Sequence, residues 1–199
     1  MSIVSYGIDT VELTLLGDIQ KQMLYCESLR QKAYYKTGSI SEASAVYLRI
    51  LCDQFKPKTI IEIGTFIGTS TKAMASSKSV FEIFTCDLHN DCLPSDDQIH
   101  CHPQQGSTTM LSKLLGKVKA DLFFFDGRIQ GVDLAPILRL SNPFAMYLFD
   151  DYESNEKGVV NVEMLKPYLK DYTLIAPPLK VGNLDTASTI AILMPKELV

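Results

Sequence analysis

The chain lacks an apolar run of about 18 residues, and it lacks a charged start followed by an apolar stretch, so neither a membrane span nor a secretory leader is indicated. A cytoplasmic protein with no membrane partner is the expectation. It also lacks an excess of positive charge. Nineteen Lys and Arg against 23 Asp and Glu leave a formal net charge of -4, with a pI of about 5.4. No basic face for phosphate backbones is expected, which argues against a nucleic-acid partner. None of the five cysteines, Cys26, Cys52, Cys86, Cys92 and Cys101, falls in a C-x-x-C pair, so reduced packing thiols are expected rather than a disulfide set. His100-Cys101-His102 has no second ligand pair at matching spacing, and in a strand its two histidines share one face with the cysteine opposite; zinc is disfavoured. Finally, there is no G-x-G-x-x-G and no G-x-x-x-x-G-K-[ST].

What is present is a single stretch that joins a strand pattern to a glycine turn and a helix start. Residues 58–63 form a β-branched run with Glu62 near its end; Gly64 and Gly68 permit a tight turn, and Thr69, Ser70 and Thr71 can open a helix through their side-chain oxygens. Such a junction is where α/β sheets bind nucleotide-like ligands, although a glycine pair can also be only a tight connection. Phe66 stands where a second close glycine would let a pyrophosphate approach, which disfavours a phosphate ligand.

Hydrophobic periodicity supplies the rest of the architecture. Two helices precede the first strand, over 11–35 and, behind Ser41 as N-cap, over 41–55. Strands are expected at 81–86, 99–102, 121–126, 144–149, 172–176 and 189–194, with helices at 107–118, 132–140 and 158–169. Strands alternating with helices imply a doubly wound, Rossmann-like α/β sheet, seven-stranded and mostly parallel, with helices on both faces. The last two strands have no helix between them, so the final strand is expected to run antiparallel. With 199 residues, 46% of them hydrophobic, one core can be filled without an internal linker. The organisation expected is one domain, 1–199, with a helical lid at 1–55 and the sheet at 56–199.

Carboxylates gather at the predicted strand ends. Asp87 follows the second strand and could accept both hydroxyls of a ribose, or be an ordinary turn residue ahead of the polar loop. Asp126 ends the fourth strand, and Asp150 and Asp151 end the fifth; in a parallel sheet all three share a rim with Glu62 and Asp87. Together they could hold one hard divalent ion, Mg²⁺, Mn²⁺ or Ca²⁺, which would lower the pKa of a bound hydroxyl. Alternatively Asp150 and Asp151 cap the following turn, and Asp126 faces the amino group of a ligand.

The string Glu62-Ile63-Gly64-Thr65-Phe66-Ile67-Gly68-Thr69-Ser70 resembles the first motif of class I S-adenosylmethionine-dependent methyltransferases, especially the small-molecule O-methyltransferases. Asp126 with the pair Asp150-Asp151 resembles the acids of the metal-dependent catechol and caffeoyl-coenzyme-A types. The same pair followed by Tyr152, with Gly158 and Val159, looks still more like the macrocin type. The resemblance covers about 40–194. It implies S-adenosylmethionine contacts at Ile40, Glu62, Gly64, Thr65, Phe66, Gly68, Ser70, Asp87, Leu88, Gly106, Ser107, Thr108 and Asp126, and a metal on Asp126, Asp150 and Asp151. It further implies a small-molecule acceptor, a diol, catechol or sugar hydroxyl, and a possible homodimer.

One departure stands out. The catechol type carries a basic Lys three residues after the fourth-strand Asp, where this chain reads Asp126-Gly127-Arg128-Ile129. The candidates left for catalysis are Asp126 with its metal, Arg128 as a clamp for an anion or oxyanion, and His89, which could equally be a surface or adenine-edge residue. A metal-independent N- or macromolecule methyltransferase, and a non-catalytic S-adenosylmethionine-binding module that kept the sheet, are the other readings. The first is disfavoured because Asp126-Gly127-Arg128 is not the [DN]-P-P-[YF] of amino-group enzymes.

Overall fold

The structure is a computed structural model, and it describes residues 12–34, 36–89, 96–184 and 186–199. Cys92, Val11 and Tyr35 therefore lie outside the described residues.

Seven strands form one sheet in the order β3-β2-β1-β4-β5-β7-β6. They are β1 (Thr59–Ile63), β2 (Glu82–Asp87), β3 (Ile99–Pro103), β4 (Ala120–Phe125), β5 (Ser141–Phe149), β6 (Tyr172–Ile175) and β7 (Ala191–Pro195). β1 pairs in parallel with both β2 and β4, and β7 runs antiparallel between β5 and β6. The winding reverses between β1 and β4, so the carboxyl ends of these strands flank a topological switch point, where open α/β sheets form their ligand crevice.

The helices are α1 (Leu13–Leu29), α2 (Glu42–Phe55), α3 (Thr69–Ala75), α4 (Ser107–Leu114), α5 (Leu134–Leu140) and α6 (Lys157–Leu165). Right-handed crossovers on a sheet that winds first one way and then the other put helices on both faces. Alternate residues of the same strands feed two cores. Ile60, Leu122, Phe124, Leu148 and Ile192 pack with α2 and α3. Ile61, Phe123, Phe125, Phe149 and Leu193 pack on the other face with α4, α5 and α6. A residue of β1 or β4 is thus buried whichever way it points, which is why these segments read as continuous apolar runs.

The fold expected from periodicity is the fold observed, with differences at element ends that have local causes. α1 tightens into a 3₁₀ turn at Arg30–Lys32. α4 stops at Leu114, and Gly116, at φ +75°, takes the left-handed conformation that ends a helix. α6 gives way at Lys166–Tyr168 to a 3₁₀ turn where Pro167 has no N–H to continue the α pattern. β5 begins at Ser141 rather than 144, with a register irregularity opposite Ala120 and Leu122, because Pro143 cannot donate to the ladder. Of the N-terminal region, α2 is a core helix whose Val46, Leu48 and Leu51 are buried against the sheet. The described cysteines are all free. Burial pushes the thiols of Cys26 and Cys86 up to about 12, consistent with inert packing groups. No helix among the described residues is long and apolar enough to cross a membrane.

Candidate active site

The glycine turn after β1 is built on three left-handed residues, Gly64 (φ +99°), Phe66 (φ +49°) and Gly68 (φ +81°). Gly64 is required sterically as well as conformationally: a Cβ there would lie 2.7 Å from the Gly127 nitrogen and 2.8 Å from the Asp126 carbonyl carbon. The main chain after β1 and the main chain after β4 are therefore in contact, and Asp126 and Gly127 both donate their N–H groups to the Ile63 carbonyl oxygen. Phe66 takes a conformation that costs a side-chain-bearing residue about 1 kcal/mol. Its N–H donates to Asp87 Oδ2 (2.8 Å), and the Arg30 guanidinium lies over its ring at 5.2 Å. Asp87 Oδ1 accepts from the His89 N–H (2.9 Å), which fixes the carboxylate at the end of β2.

A cleft of about 490 Å³ opens along this rim. The wall at one end is Gly64, Phe66, Asp87 and Leu88, with Gly106, Ser107 and Thr108 beside them, and at the other Asp126, Arg128, Asp150, Asp151 and Lys157. Of the residues expected at a ligand, Ile40, Glu62, Thr65, Gly68 and Ser70 are not part of this lining, while Ser107 and Thr108 line it with their hydroxyls bonded to a buried carboxylate. Glu62 is fully buried, and its two oxygens accept from Ser70 Oγ and Thr71 Oγ1, so it ties β1 to α3. Burial raises its pKa, while the donors from Ser70 and Thr71 oppose the shift. Thr65 is hydrogen-bonded to Thr85, Gly68 caps α3, and Ile40 packs in the core, with Gly38 and Ser39 reaching the cleft ahead of it. The side chains of Ser107 and Thr108 both donate to Asp133, which is fully buried and also receives the Gln130 N–H. His89 is exposed and stacked on Tyr34 at 5.0 Å, on the β2 side of the sheet, with β1 between β2 and β4. Arg128 is exposed at the cleft.

At the β4 and β5 ends, ligand atoms of Asp126, Asp150 and Asp151 all lie within 4.8 Å of one another. Among the described residues this is the one group of three or more such side chains close enough to share an ion. Asp150 is buried and accepts from Thr189 Oγ1 (2.6 Å). Burial raises its pKa, and the donor from Thr189 works against that. Burial, and then the charge of Asp150, push the Asp126 carboxyl up to about 8. Asp151 is held in the left-handed region (φ +51°).

The sequence led to a divalent ion here and named no lysine; the structure brings a lysine to the cluster. Lys157, the first residue of α6, puts Nζ 2.7 Å from Asp126 Oδ1 and 2.6 Å from Asp151 Oδ2. Burial works to lower the pKa of this ammonium, but the two carboxylates outweigh it and hold Lys157 charged beyond the usual lysine range. Asn161, fully buried on the same helix, clamps the segment after β4 by donating to the Gly127 carbonyl (2.9 Å) and accepting the Ile129 N–H (3.2 Å). Ile129, at the position where a Lys was expected, is buried.

Comparison with protein-family models gave no match, and neither did comparison with curated sequences. Solved structures do match. An O-methyltransferase from Bacillus cereus in complex with S-adenosylhomocysteine aligns with 89% of this chain and 90% of its own, at 15% identity and a TM-score of 0.59. The O-methyltransferase TomG from Streptomyces achromogenes, involved in tomaymycin synthesis and solved with S-adenosylmethionine, aligns with 94% of this chain and 91% of its own, at 16% identity and a TM-score of 0.61. Spermidine synthase from Thermotoga maritima aligns with 79% of this chain and 61% of its own, at 10% identity and a TM-score of 0.59. At these identities the likeness establishes a shared fold, the Rossmann-like sheet of class I methyltransferases, and that fold also carries other transfer chemistry.

Proposed function

We propose that the protein is an S-adenosylmethionine-dependent methyltransferase acting on a hydroxyl of a small molecule. The observation that carries this reading is the continuity of the cleft. A single cavity joins the carboxylate at the β2 end, Asp87, to the acid cluster at the β4 and β5 ends. Methyl transfer needs donor and acceptor side by side and little covalent help from the protein.

The donor end suits a nucleoside. The cavity volume of about 490 Å³ is in the range of small-molecule sites. Asp87 lines the cleft at the end of β2, and a carboxylate accepts hydrogen bonds at both of its oxygens, the chemistry that a ribose diol asks for. When bound, S-adenosylmethionine supplies a sulfonium methyl; the acceptor oxygen bonds to that carbon, and the C–S pair remains on sulfur in S-adenosylhomocysteine. The chain's residues orient the two partners and take the hydroxyl proton, for which the carboxylates of Asp126 and Asp150 line the acceptor end.

A divalent cation on Asp126, Asp150 and Asp151 is supported by the hard oxygen donors and their closeness. Against it, the Lys157 ammonium spans two of the three carboxylates, so an ion touching all three requires that side chain to withdraw. The test is methyl transfer from labelled S-adenosylmethionine to a panel of catechols, phenols and sugars. Labelled product supports the proposal; S-adenosylhomocysteine binding without turnover on any acceptor supports a non-catalytic binding module instead.

A further inference from the structure

Lys157 stands where helix preference argues against it. The first turn of a helix presents unpaired N–H groups and the positive end of the macrodipole, which favour anions. α6 nonetheless begins with a lysine, behind a Glu156 whose side chain makes no cap. The side chain is 24% exposed. Burying most of an ammonium costs solvation and rotamer freedom, and only well-placed carboxylates offset that. The position of Lys157 is therefore set by Asp126 and Asp151, not by the helix. Such a local rule broken in a cleft is the mark of a functional position.

The neighbouring glycine points the same way. A Cβ on Gly158 would lie 2.2 Å from the Asp150 carbonyl oxygen and 2.8 Å from the Asp151 carbonyl carbon and oxygen. Any side chain there would lever the first turn of α6, and Lys157 with it, off the segment after β5. The close approach that delivers the ammonium is built into the backbone.

We propose that Lys157 is the resident cation of the acid cluster: its ammonium takes the place between Asp126 and Asp151 that a divalent ion would need, and the site works without one. Its role toward an acceptor rests on the methyl-transfer reading, whereas its exclusion of ions does not. The ammonium and a divalent ion would compete for the same small space. Ligand atoms within 4.8 Å of one another leave room for one cation in contact with all of them, and a second positive charge beside Nζ is repelled. An ammonium has three N–H groups, two of them aimed at Asp126 and Asp151. The third is left to hold the acceptor oxygen and favour its developing negative charge.

The test is Mn²⁺ binding to the full chain, read from loss of the free-ion electron paramagnetic resonance signal, in wild type, Lys157→Met and Lys157→Arg. Wild type and Lys157→Arg, which keep the charge, are expected to retain little Mn²⁺. Lys157→Met, which keeps the bulk and loses the charge, should bind roughly tenfold more tightly or better, and adding Asp126→Asn should remove the gain. One Mn²⁺ per chain held by wild type at micromolar concentration overturns the proposal, as does equal affinity in wild type and Lys157→Met. If Lys157→Met melts out by circular dichroism, Lys157→Gln replaces it, and the wild-type titration decides on its own. Calorimetry with S-adenosylhomocysteine runs alongside. Failure of that ligand to bind removes the methyl-transfer reading, while the expected Mn²⁺ pattern still supports Lys157 as the resident cation.

Discussion

Lys157 Nζ and Asp126 Oδ1 meet at 2.7 Å. This contact joins the start of α6 to the residue after β4, and Lys157 reaches onward to Asp151 at the end of β5. This end of the cleft is thus a charge cluster shared by three segments, and its properties can be tested one residue at a time.

On the proposed methyl-transfer reading, Asp87 would hold the ribose. Asp87→Ala is expected to weaken S-adenosylhomocysteine binding by about 2–3 kcal/mol, the loss of charge-assisted hydrogen bonds. Titration calorimetry measures it, and an unchanged affinity would sink the assignment. Asp87→Asn separates ligand contact from the brace on Phe66, because its carbonyl oxygen can still accept the Phe66 N–H.

Glu62, expected at the ligand, is a buried brace for Ser70 and Thr71. Glu62→Ala leaves two hydroxyls buried without their acceptor and is expected to lower unfolding stability by about 2–3 kcal/mol. Glu62→Gln keeps an acceptor and should bind S-adenosylhomocysteine nearly as wild type does. A Gln variant that unfolds normally but loses the ligand would restore Glu62 as a direct contact.

Gly158→Ala places a methyl group against the carbonyl oxygen of Asp150. The expected cost is about 1–3 kcal/mol, as for other overpacked sites, seen as a lower urea midpoint at unchanged slope. A midpoint equal to wild type would mean that α6 shifts freely, and the tight delivery of Lys157 would fail with it.

The pH dependence of stability follows from Asp126, whose carboxyl is pushed up to about 8 from an ordinary value of about 3.9. A folded-state pKa raised in this way means that the fold prefers the protonated acid. That contribution is fully present below about pH 4 and is lost as pH rises through about 8. Melting temperatures of wild type should therefore fall across this window relative to Asp126→Asn, measured in EDTA. Parallel curves for the two proteins would contradict the shift.

Much of the fold was legible because strands and helices leave local periods. Short β-branched or apolar runs at 59–63 and 120–125 marked β1 and β4, and Gly64 and Gly68 marked the turn between β1 and α3. The strand-end acids were legible for the same reason, since a residue at the end of a parallel strand faces the ligand rim whatever its neighbours are. The distinction between wall and brace was not. Glu62, Ser70, Ser107 and Thr108 carry ligand-type side chains, but their partners, Thr71 and Asp133 among them, are chosen by packing. Asp133 and Asn161 fall in segments expected as helices, where nothing in the local pattern marks them. Only full burial with paired hydrogen bonds identifies them as organisers of the rim.

The sequence by itself determined the sheet, its antiparallel last strand, the glycine turn and the row of carboxylates, because each is written in spacing along a few consecutive residues. Only the tertiary structure decided which cation meets those carboxylates. A lysine at a helix start has no local pattern tying it to an aspartate on another strand. The meeting is made by the order of strands β4 and β5, which sets their ends side by side, and by the missing side chain at Gly158, which lets α6 come close enough for Lys157 to reach Asp126.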